Sequence, residues 1–172
     1  TAESVKLIRD AKKKGLQVTC SVSVHHLTLN DDELHGFDSN TKVTPPLRTQ
    51  KDCNALVKAV KSGTIDMITS DHNPIDIEHK KVEFSTAKNG TIGLESCFGA
   101  LNSVLTLKES IEALTSKPRN IFGLETASIA VGEKADISLF NPKSSYIFTK
   151  ENILSTSKNS AFLGKELTGN AY

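Results

Sequence analysis

The chain has 172 residues, of which 37% are hydrophobic and 24% are charged, and its formal net charge is +1. This composition is that of an ordinary soluble globular protein with room for one good core or two small ones. The sequence has no basic stripe for nucleic acid, no run of about 20 apolar residues for a membrane span and no signal-peptide pattern, so we expect no nucleic-acid partner, no membrane partner and a cytoplasmic location.

The first predicted elements are a helix and a strand. Residues 3–14 place apolar side chains at helical spacing, and Gly15 suits the left-handed position just past the helix. Residues 16–24 alternate between apolar and polar, which predicts a strand with one apolar face. In a barrel that face would meet the surrounding helices, and the polar side chains, ending with His25, would point into the interior.

A polar loop over residues 30–44 leads to a second helix and a second strand. The helix has an N-cap residue in Thr49 and ends at Gly63. The next strand starts at Asp66 and ends abruptly at Asp71. The crossover lengths in this order of elements suit parallel pairing of the two strands.

Asp71 is the first candidate for a functional residue. In (β/α)8 enzymes the reacting groups sit at the C-terminal ends of the strands, and a short apolar run here delivers a carboxylate to such a position. The alternative is a turn initiator, because Asp and Asn side chains satisfy local backbone donors.

Other reactive side chains have structural interpretations. His25 and His26 do not predict a metal pair, since adjacent residues on a strand point to opposite faces. We interpret these two histidines and His72 as packed or supporting residues, and Arg48 either as a group that meets a carboxylate or as part of a structural ion pair. The cysteines form no CxxC pair and are expected to be packing thiols in a reducing compartment: Cys20, Cys53 and Cys97.

Helices dominate the middle third of the sequence. Residues 94–107 predict a mostly buried helix, and Thr106 with Glu109 predicts the cap of another. Pro118 starts a short helix that Gly123 ends.

The pattern changes again towards the C-terminus. Residues 137–140 predict a strand that Asn141-Pro142 stops, and further short β segments follow. We therefore predict a domain boundary near residue 125, with one unit over residues 1–125 and a second over residues 126–172.

Several segments together resemble one enzyme family. Their order and spacing resemble the C-terminal half of a dihydroorotase, in the dihydroorotase and hydantoinase branch of the amidohydrolases, and the resemblance covers nearly the whole chain. It implies an α/β fold: the C-terminal part of a (β/α)8 TIM-type barrel, with about two barrel strands plus helices, followed by part of a small composite β-sandwich. The segments are residues 24–27, 42–48, 63–66, 70–74, 90–95 and 129–137.

The resemblance also implies an activity. Dihydroorotases are zinc-dependent hydrolases that interconvert dihydroorotate and carbamoyl aspartate in pyrimidine synthesis. In that family metal ions polarise the carbonyl and activate a water, while the aspartate that ends the eighth strand touches metal and shuttles the proton. Asp71 matches this aspartate, so the resemblance implies that it is both catalytic and metal-binding.

Four positions correspond to substrate contacts of the family. Thr44 stands where asparagine is common, Ile75 where histidine is common and Asn89 where phenylalanine is usual, whereas Gly90 is kept. A polar group left unpaired costs roughly 1 to 3 kcal/mol. Three functions therefore stay open: a dihydroorotase, a non-catalytic homologue that acts as a scaffold, and a hydantoinase- or allantoinase-like cyclic amidase.

The remaining metal ligands of the family come from earlier barrel strands. Residues 1–4 resemble those that follow the histidine of the sixth strand. We therefore expect the missing N-terminal half of the same protein to be a partner that supplies ligands, and we expect this chain alone to be inactive. Unpaired strand edges of a half barrel also predict association with that half or with a second copy, as a homo-oligomer.

Overall fold

A computed structural model describes residues 1–125 and 128–172 of the chain. Helices and strands alternate in the first half, helices follow in the middle, and a β-hairpin lies near the C-terminus. The helices are α1 (Ala2–Lys13), α2 (Val24–Thr28), α3 (Gln50–Lys61), α4 (Leu94–Leu101), α5 (Leu107–Leu114) and α6 (Ser116–Phe122). The strands are β1 (Ser21–Ser23), β2 (Met67–Thr69), β3 (Phe140–Ile147) and β4 (Glu166–Ala171). Short 3-10 helices cover Asp31–Leu34, Ser39–Thr41, Ile77–His79 and Lys150–Asn152.

β1 and β2 form a parallel pair, with Val22 opposite Ile68, and the predicted parallel pairing is confirmed. The predicted strand over residues 16–24 is wrong at both ends, because Val24 already begins α2 and residues 16–20 lie outside any strand. The chain just before β2 forms the turn that ends α3, so it offers residues 16–19 no strand to pair with.

Local capping explains where the helices begin and end. The hydroxyl of Thr49 accepts a hydrogen bond from the Asp52 amide at the start of α3, as predicted. Thr106 and Glu109 form a reciprocal capping box at α5. The single helix predicted over residues 94–107 is wrong, because α4 ends at Leu101. The capping box at Thr106 then starts α5 as a separate helix.

The C-terminal hairpin pairs β3 with β4 in antiparallel fashion. The strand predicted over residues 137–140 is wrong, because β3 begins at Phe140 and continues through Pro142. The register shifts between Asn141 and Ser145, and the Asn102 amide donates a hydrogen bond to the Pro142 carbonyl. The proline therefore lies in an irregular stretch of the ladder, where its missing N–H is tolerated.

One hydrophobic core joins the first and last parts of the chain. Val24 of α2 and Leu101 of α4 are fully or almost fully buried together with Phe148 and Phe162. The predicted domain boundary falls next to Thr126 and Ala127, which lie outside the described residues, and it stays a prediction.

Two further features concern the whole described chain. Across residues 1–125 and 128–172, no helix combines the length and the apolar character needed to cross a bilayer. The three cysteines are free thiols, with Cys53 and Cys97 buried and Cys20 half-buried, in agreement with the predicted packing role.

Candidate active site

A cavity of about 520 Å³ lies beside the two parallel strands and reaches the end of β2. Ser21 and Ser23 of β1 contribute polar side chains, and Asp71 adds a carboxylate. Apolar residues of α1 and α3 supply much of the remaining wall, including Val5, Ile8 and Leu56. The cavity is therefore an apolar cleft with a few polar groups, which is typical of a small-molecule site.

Asp71 lies two residues beyond β2 in a left-handed backbone conformation, with φ of 45°. Such a conformation costs a residue other than glycine on the order of 1 to 3 kcal/mol, so the surrounding structure must hold it. The side-chain amide of Asn73 donates hydrogen bonds to Asp71 Oδ1 at 3.0 Å and to the Asp71 carbonyl at 3.3 Å. The turn places a half-buried carboxylate at the cavity with one oxygen engaged by Asn73.

Gly93 permits the close approach that fixes the end of β2. A Cβ atom at this position would lie 2.0 Å from the Ser70 carbonyl oxygen and 3.0 Å from Cε1 of His25. Any side chain here would displace the segment that carries Asp71. Only glycine fits between the start of α4 and the end of β2.

His72 points away from the cavity into a hydrogen-bond network. Its Nδ1 accepts from the backbone amides of Gly93 and Leu94, at 3.3 and 3.2 Å. Because Nδ1 accepts, the tautomer that fits carries its proton on Nε2, which lies 3.2 Å from the Ser155 hydroxyl. The predicted role of a packed, hydrogen-bonded histidine is confirmed.

The same network ends at Glu95. The Ser155 amide and hydroxyl both donate to Glu95 Oε1, at 2.8 and 2.5 Å. Burial acts to raise the pKa of Glu95, but the hydrogen bonds from Ser155 outweigh it and lower that pKa overall. Glu95 is therefore held as an anion, and it ties the C-terminal segment to the start of α4.

His25 corrects the expectation of a polar interior position. The chain coils into α2 directly after Ser23, so the strand alternation stops and His25 turns into the core, where it is fully buried. Its ring stacks on Phe162 with centroids 5.5 Å apart, and neither ring nitrogen has a hydrogen-bond partner among the described residues. Burial lowers the pKa of His25 to about 4, although the nearby Asp71 charge acts in the opposite direction. His25 is therefore a neutral packing residue.

His26, in contrast, lines the cavity. Its Nδ1 lies 2.6 Å from the Ser23 hydroxyl, and its Nε2 lies 2.9 Å from the Pro45 carbonyl oxygen. The ring therefore supports the loop that carries Thr44, and it acts as a bridge between β1 and that loop.

The predicted substrate positions separate into two groups. Thr44 lines the same cavity as Asp71, whereas Ile75 lines a second cavity of about 550 Å³. Gly90 is buried with φ of 136°, and a Cβ atom there would lie 3.1 Å from Cγ1 of Ile75. Asn89 is exposed beside it. The structure thus brings Thr44 to Asp71, and Gly90 to Ile75.

Arg48 contributes a positive charge to the wall of the Asp71 cavity. Its side chain is exposed, and the described part of the chain places no carboxylate within 4.0 Å of the guanidinium. The nearby Asp52 carboxylate accepts a hydrogen bond from the Ala2 amide at 2.7 Å. Both interpretations of Arg48 stay predictions, because the guanidinium lines the cavity and its charge also acts on Asp52.

The donor set for a metal ion is incomplete in the described chain. No group of three or more His, Cys, Asp or Glu side chains in residues 1–125 and 128–172 is placed to hold a metal ion. Zinc sites in proteins use three or four protein ligands. Asp71 can therefore be at most one member of a site that needs residues from elsewhere.

Sequence reasoning missed the contribution of the segment after β3. Ser155 and Asn159 contact the loop after β2 across 83 to 86 residues of chain. Neither residue belongs to a periodic pattern or a recognisable cap, so no local signal marks them.

Comparisons with known proteins agree with this geometry. Residues 2–163 match the amidohydrolase family. The dihydroorotase of Geotalea daltonii is 40% identical over 99% of this chain and 41% of the relative. The dihydroorotases of Caldicellulosiruptor saccharolyticus and Bacillus subtilis are 44% and 42% identical, each over 98% of this chain and over 40% and 41% of their own lengths. The chain spans about two fifths of the length of these curated relatives.

Solved structures show the same α/β fold. The L-hydantoinase (dihydropyrimidinase) from Arthrobacter aurescens superposes with a TM-score of 0.88 at 26% identity, over 98% of this chain and 40% of its own. The inactive dihydroorotase-like domain of the Chaetomium thermophilum CAD-like multifunctional protein superposes with a TM-score of 0.67 at 26% identity, over 98% of this chain and 45% of its own.

Proposed function

The chain belongs to the amidohydrolase family, and from this premise we propose that the protein of which it forms part is a dihydroorotase. The reaction is the reversible hydrolysis of the cyclic amide of dihydroorotate to carbamoyl aspartate. The observation that carries the proposal is the Asp71 carboxylate, held at the end of a parallel strand beside a cavity of small-molecule size. Three dihydroorotases at 40 to 44% identity over nearly the whole chain support this choice of substrate.

We assign the chain to the C-terminal part of a (β/α)8 barrel, with β1 and β2 as two of its strands and the β3–β4 hairpin as part of a small β-sandwich. The likeness to the L-hydantoinase supports this assignment. The rest of a protein of the relatives' length would supply the other strands and pair with the open edges of β1 and β2. Pyrimidine synthesis as the pathway, a cytoplasmic location and a homo-oligomer stay predictions.

The proposed role of Asp71 is that of a general base and then a general acid. One carboxylate oxygen takes a proton from the water that attacks the amide carbon, and the same group later gives that proton to the leaving nitrogen as the C–N bond breaks. Asn73 donates to Oδ1, which leaves Oδ2 as the oxygen for the transferred proton. The left-handed turn at Asp71 keeps this carboxylate at the cavity.

Zinc is the proposed cofactor of the whole protein. When bound, zinc polarises a substrate carbonyl and lowers the pKa of an attacking water. Asp71 would contribute one carboxylate ligand, and the other ligands would come from the sequence that the longer relatives contain and this chain does not.

Arg48 favours dihydroorotate over an uncharged ring. Dihydroorotate carries a carboxylate beside its cyclic amide, whereas simple hydantoins do not. A guanidinium in the cavity wall offers the fork of donors that a carboxylate accepts. The proposed contacts to the rest of the substrate are Thr44 from the Asp71 cavity and Ile75, Asn89 and Gly90 from the adjoining loops.

Specific observations favour two other candidates. The hydantoinase likeness and the apolar Ile75 favour a cyclic amidase of the hydantoin or allantoin type. The likeness to an inactive dihydroorotase-like domain, together with Thr44 and Ile75, favours a non-catalytic scaffold.

The test is dihydroorotate hydrolysis by the full-length protein, with zinc, after chelation and after zinc is restored. We expect turnover that chelation removes and zinc restores, and that Asp71→Asn abolishes while the matched surface change Asp76→Asn leaves it intact. Arg48→Met should raise KM for dihydroorotate about tenfold, equivalent to roughly 1.4 kcal/mol, and should not change turnover of an uncharged hydantoin.

The outcomes separate the three candidates. Faster turnover of hydantoin or allantoin than of dihydroorotate would assign the second activity. A folded, zinc-loaded protein that hydrolyses none of these rings would support the non-catalytic scaffold.

A further inference from the structure

Asn159 connects two separate segments of the candidate site, the loop after β2 and the loop that carries Gly90. It lies between the Lys150–Asn152 3-10 helix and β4, and only 5% of its surface is exposed. Its side-chain Nδ2 donates to the carbonyls of Asn73 at 3.0 Å and Gly90 at 3.3 Å, and its Oδ1 accepts from the Ile75 amide at 3.1 Å. We propose that Asn159 is a positioning residue that holds the Asp71 turn, which continues to Ile75, and the Gly90 loop in one arrangement.

The backbone around Asn159 is fixed by its own contacts. Its carbonyl accepts hydrogen bonds from the Ile92 amide and the Thr91 hydroxyl, both at 3.0 Å. The Thr91 hydroxyl in turn accepts from the Ala161 amide at 2.9 Å. Thr91 is fully buried, so these bonds are shielded from water. Asn159 is therefore a rigid support for its three partners.

The support reaches Asp71 through Asn73. The Asn73 amide donates to the Thr91 carbonyl at 2.9 Å, and its carbonyl is held by Asn159. With its main chain held at both ends, the Asn73 side chain donates to Oδ1 and to the carbonyl of Asp71. A left-handed Asp71 persists only while such contacts determine it.

Removal of the side-chain amide leaves one buried and two part-buried backbone groups without partners. In Asn159→Ala the carbonyls of Asn73 and Gly90 and the amide of Ile75 lose their bonds, and both loops shift to find new ones. This inference rests on the proposed function of the Asp71 site. For that function, a displacement of about 1 Å at the reacting groups can cost about 100-fold in rate, so we expect kcat/KM to fall by about that factor.

The separate effects on kcat and KM distinguish a positioning role from a purely structural one. In Asn159→Ala the displaced Asp71 turn should lower kcat, and the displaced backbone at Ile75 and Gly90 should raise KM. Stability loss alone would lower the amount of active protein and would leave KM unchanged.

Asn159→Asp supplies a conservative rescue. An aspartate keeps the oxygen that accepts from Ile75, but it can donate to the Asn73 carbonyl only when it is protonated. Its activity relative to wild type should therefore rise as the pH falls. Asn159→Ala has no such group and should show no relative gain.

Asn102 provides a matched control in the same protein. Its side-chain amide also donates to two carbonyls, those of Pro142 at 2.7 Å and Thr168 at 3.0 Å, in the β3–β4 hairpin. Asn102→Ala removes equivalent bonds away from the Asp71 cavity. It should lower thermal stability and leave KM unchanged.

Hydrogen exchange on the full-length protein tests the support without any assay of activity. We expect faster exchange in peptides that cover residues 73–75 and 90–92 in Asn159→Ala, and unchanged exchange there in Asn102→Ala. Wild-type protein without turnover on dihydroorotate would refute the proposed function and leave this exchange test intact. Unchanged exchange and an unchanged KM in Asn159→Ala would overturn the positioning role. If Asn159→Ala does not fold, the relative pH dependence of Asn159→Asp decides instead.

Discussion

Each of the two parallel strands is followed after two residues by an ionisable side chain, His25 after β1 and Asp71 after β2, but these side chains have different surroundings. After β1 the chain enters α2 at once, and His25 turns into the core. After β2 the chain takes a left-handed turn at Asp71, and the carboxylate stays at the cavity. The residue type at a strand end therefore does not decide its role, because the backbone of the next two residues sets whether a side chain enters the core or the site.

The two strand ends also differ in the charge that they place near the cavity. Burial lowers the pKa of His25 to about 4, so the ring is neutral near pH 7 and adds no cation beside Asp71. The carboxylate at the other strand end is half-buried and keeps one oxygen free of Asn73. His25 after β1 is thus a packing residue, whereas Asp71 after β2 is the residue to which we assign the proposed chemistry.

The largest expected effect comes from Asp71→Gly. Glycine adopts a positive φ without strain, so the unfolding free energy should be unchanged or higher by up to about 1 kcal/mol. Loss of the proposed general base should lower kcat by about 1,000-fold. Thermal unfolding and steady-state kinetics of the full-length protein measure the two quantities, with Asp71→Ala as the variant that keeps the strain.

Retained turnover in Asp71→Gly would contradict the proposed difference between the two strand ends. If Asp71→Gly keeps turnover within tenfold of wild type, the carboxylate is only a turn residue, as the alternative interpretation of the sequence holds.

The second effect is acid destabilisation through His25. The folded protein binds a proton at this ring only near pH 4, whereas the unfolded chain binds it near pH 6.5. The unfolded state therefore holds more protons between these values, and stability falls as the pH drops from 6.5 towards 4, by roughly 3 kcal/mol at most. Chemical unfolding at a series of pH values measures this slope.

Two variants isolate the His25 contribution. His25→Phe keeps a ring against Phe162 and should flatten the slope between pH 6.5 and 4. His35→Gln, at an exposed histidine, should leave it unchanged. An equal slope in wild type and His25→Phe would assign the acid sensitivity to other groups.

Local signals made part of this arrangement predictable. Neighbouring residues alone determine the N-cap at Thr49, the glycine after α1 and the abrupt end of β2. From these signals the sequence predicts the helices, the parallel pair and Asp71 as a candidate. The segment around Asn159 gave no such signal, since its contacts with Asn73 span 86 residues. Tertiary hydrogen bonds of this kind produce no repeating pattern of residue types in the sequence.

The predicted length of the first strand is wrong for a related reason. Alternation over residues 16–24 is a property of one segment, whereas a strand also needs a partner, and β2 offers only three residues. The predicted position of His25 is wrong for the same reason, because the alternation of a strand does not continue into α2, where His25 is the second residue.

The smallest expected effect tests His26, a side chain after β1 that reaches the cavity. His26→Ala removes the contacts with the Ser23 hydroxyl and the Pro45 carbonyl, so the loop that carries Thr44 loses its support. A lost hydrogen bond of about 1 kcal/mol corresponds to a rise in KM of about fivefold, with little change in kcat. Ser23→Ala, which removes one of the two contacts, should give a smaller rise. A fall in kcat comparable to that of Asp71→Gly would instead place His26 in the chemical step, and β1 would then contribute more than packing to the site.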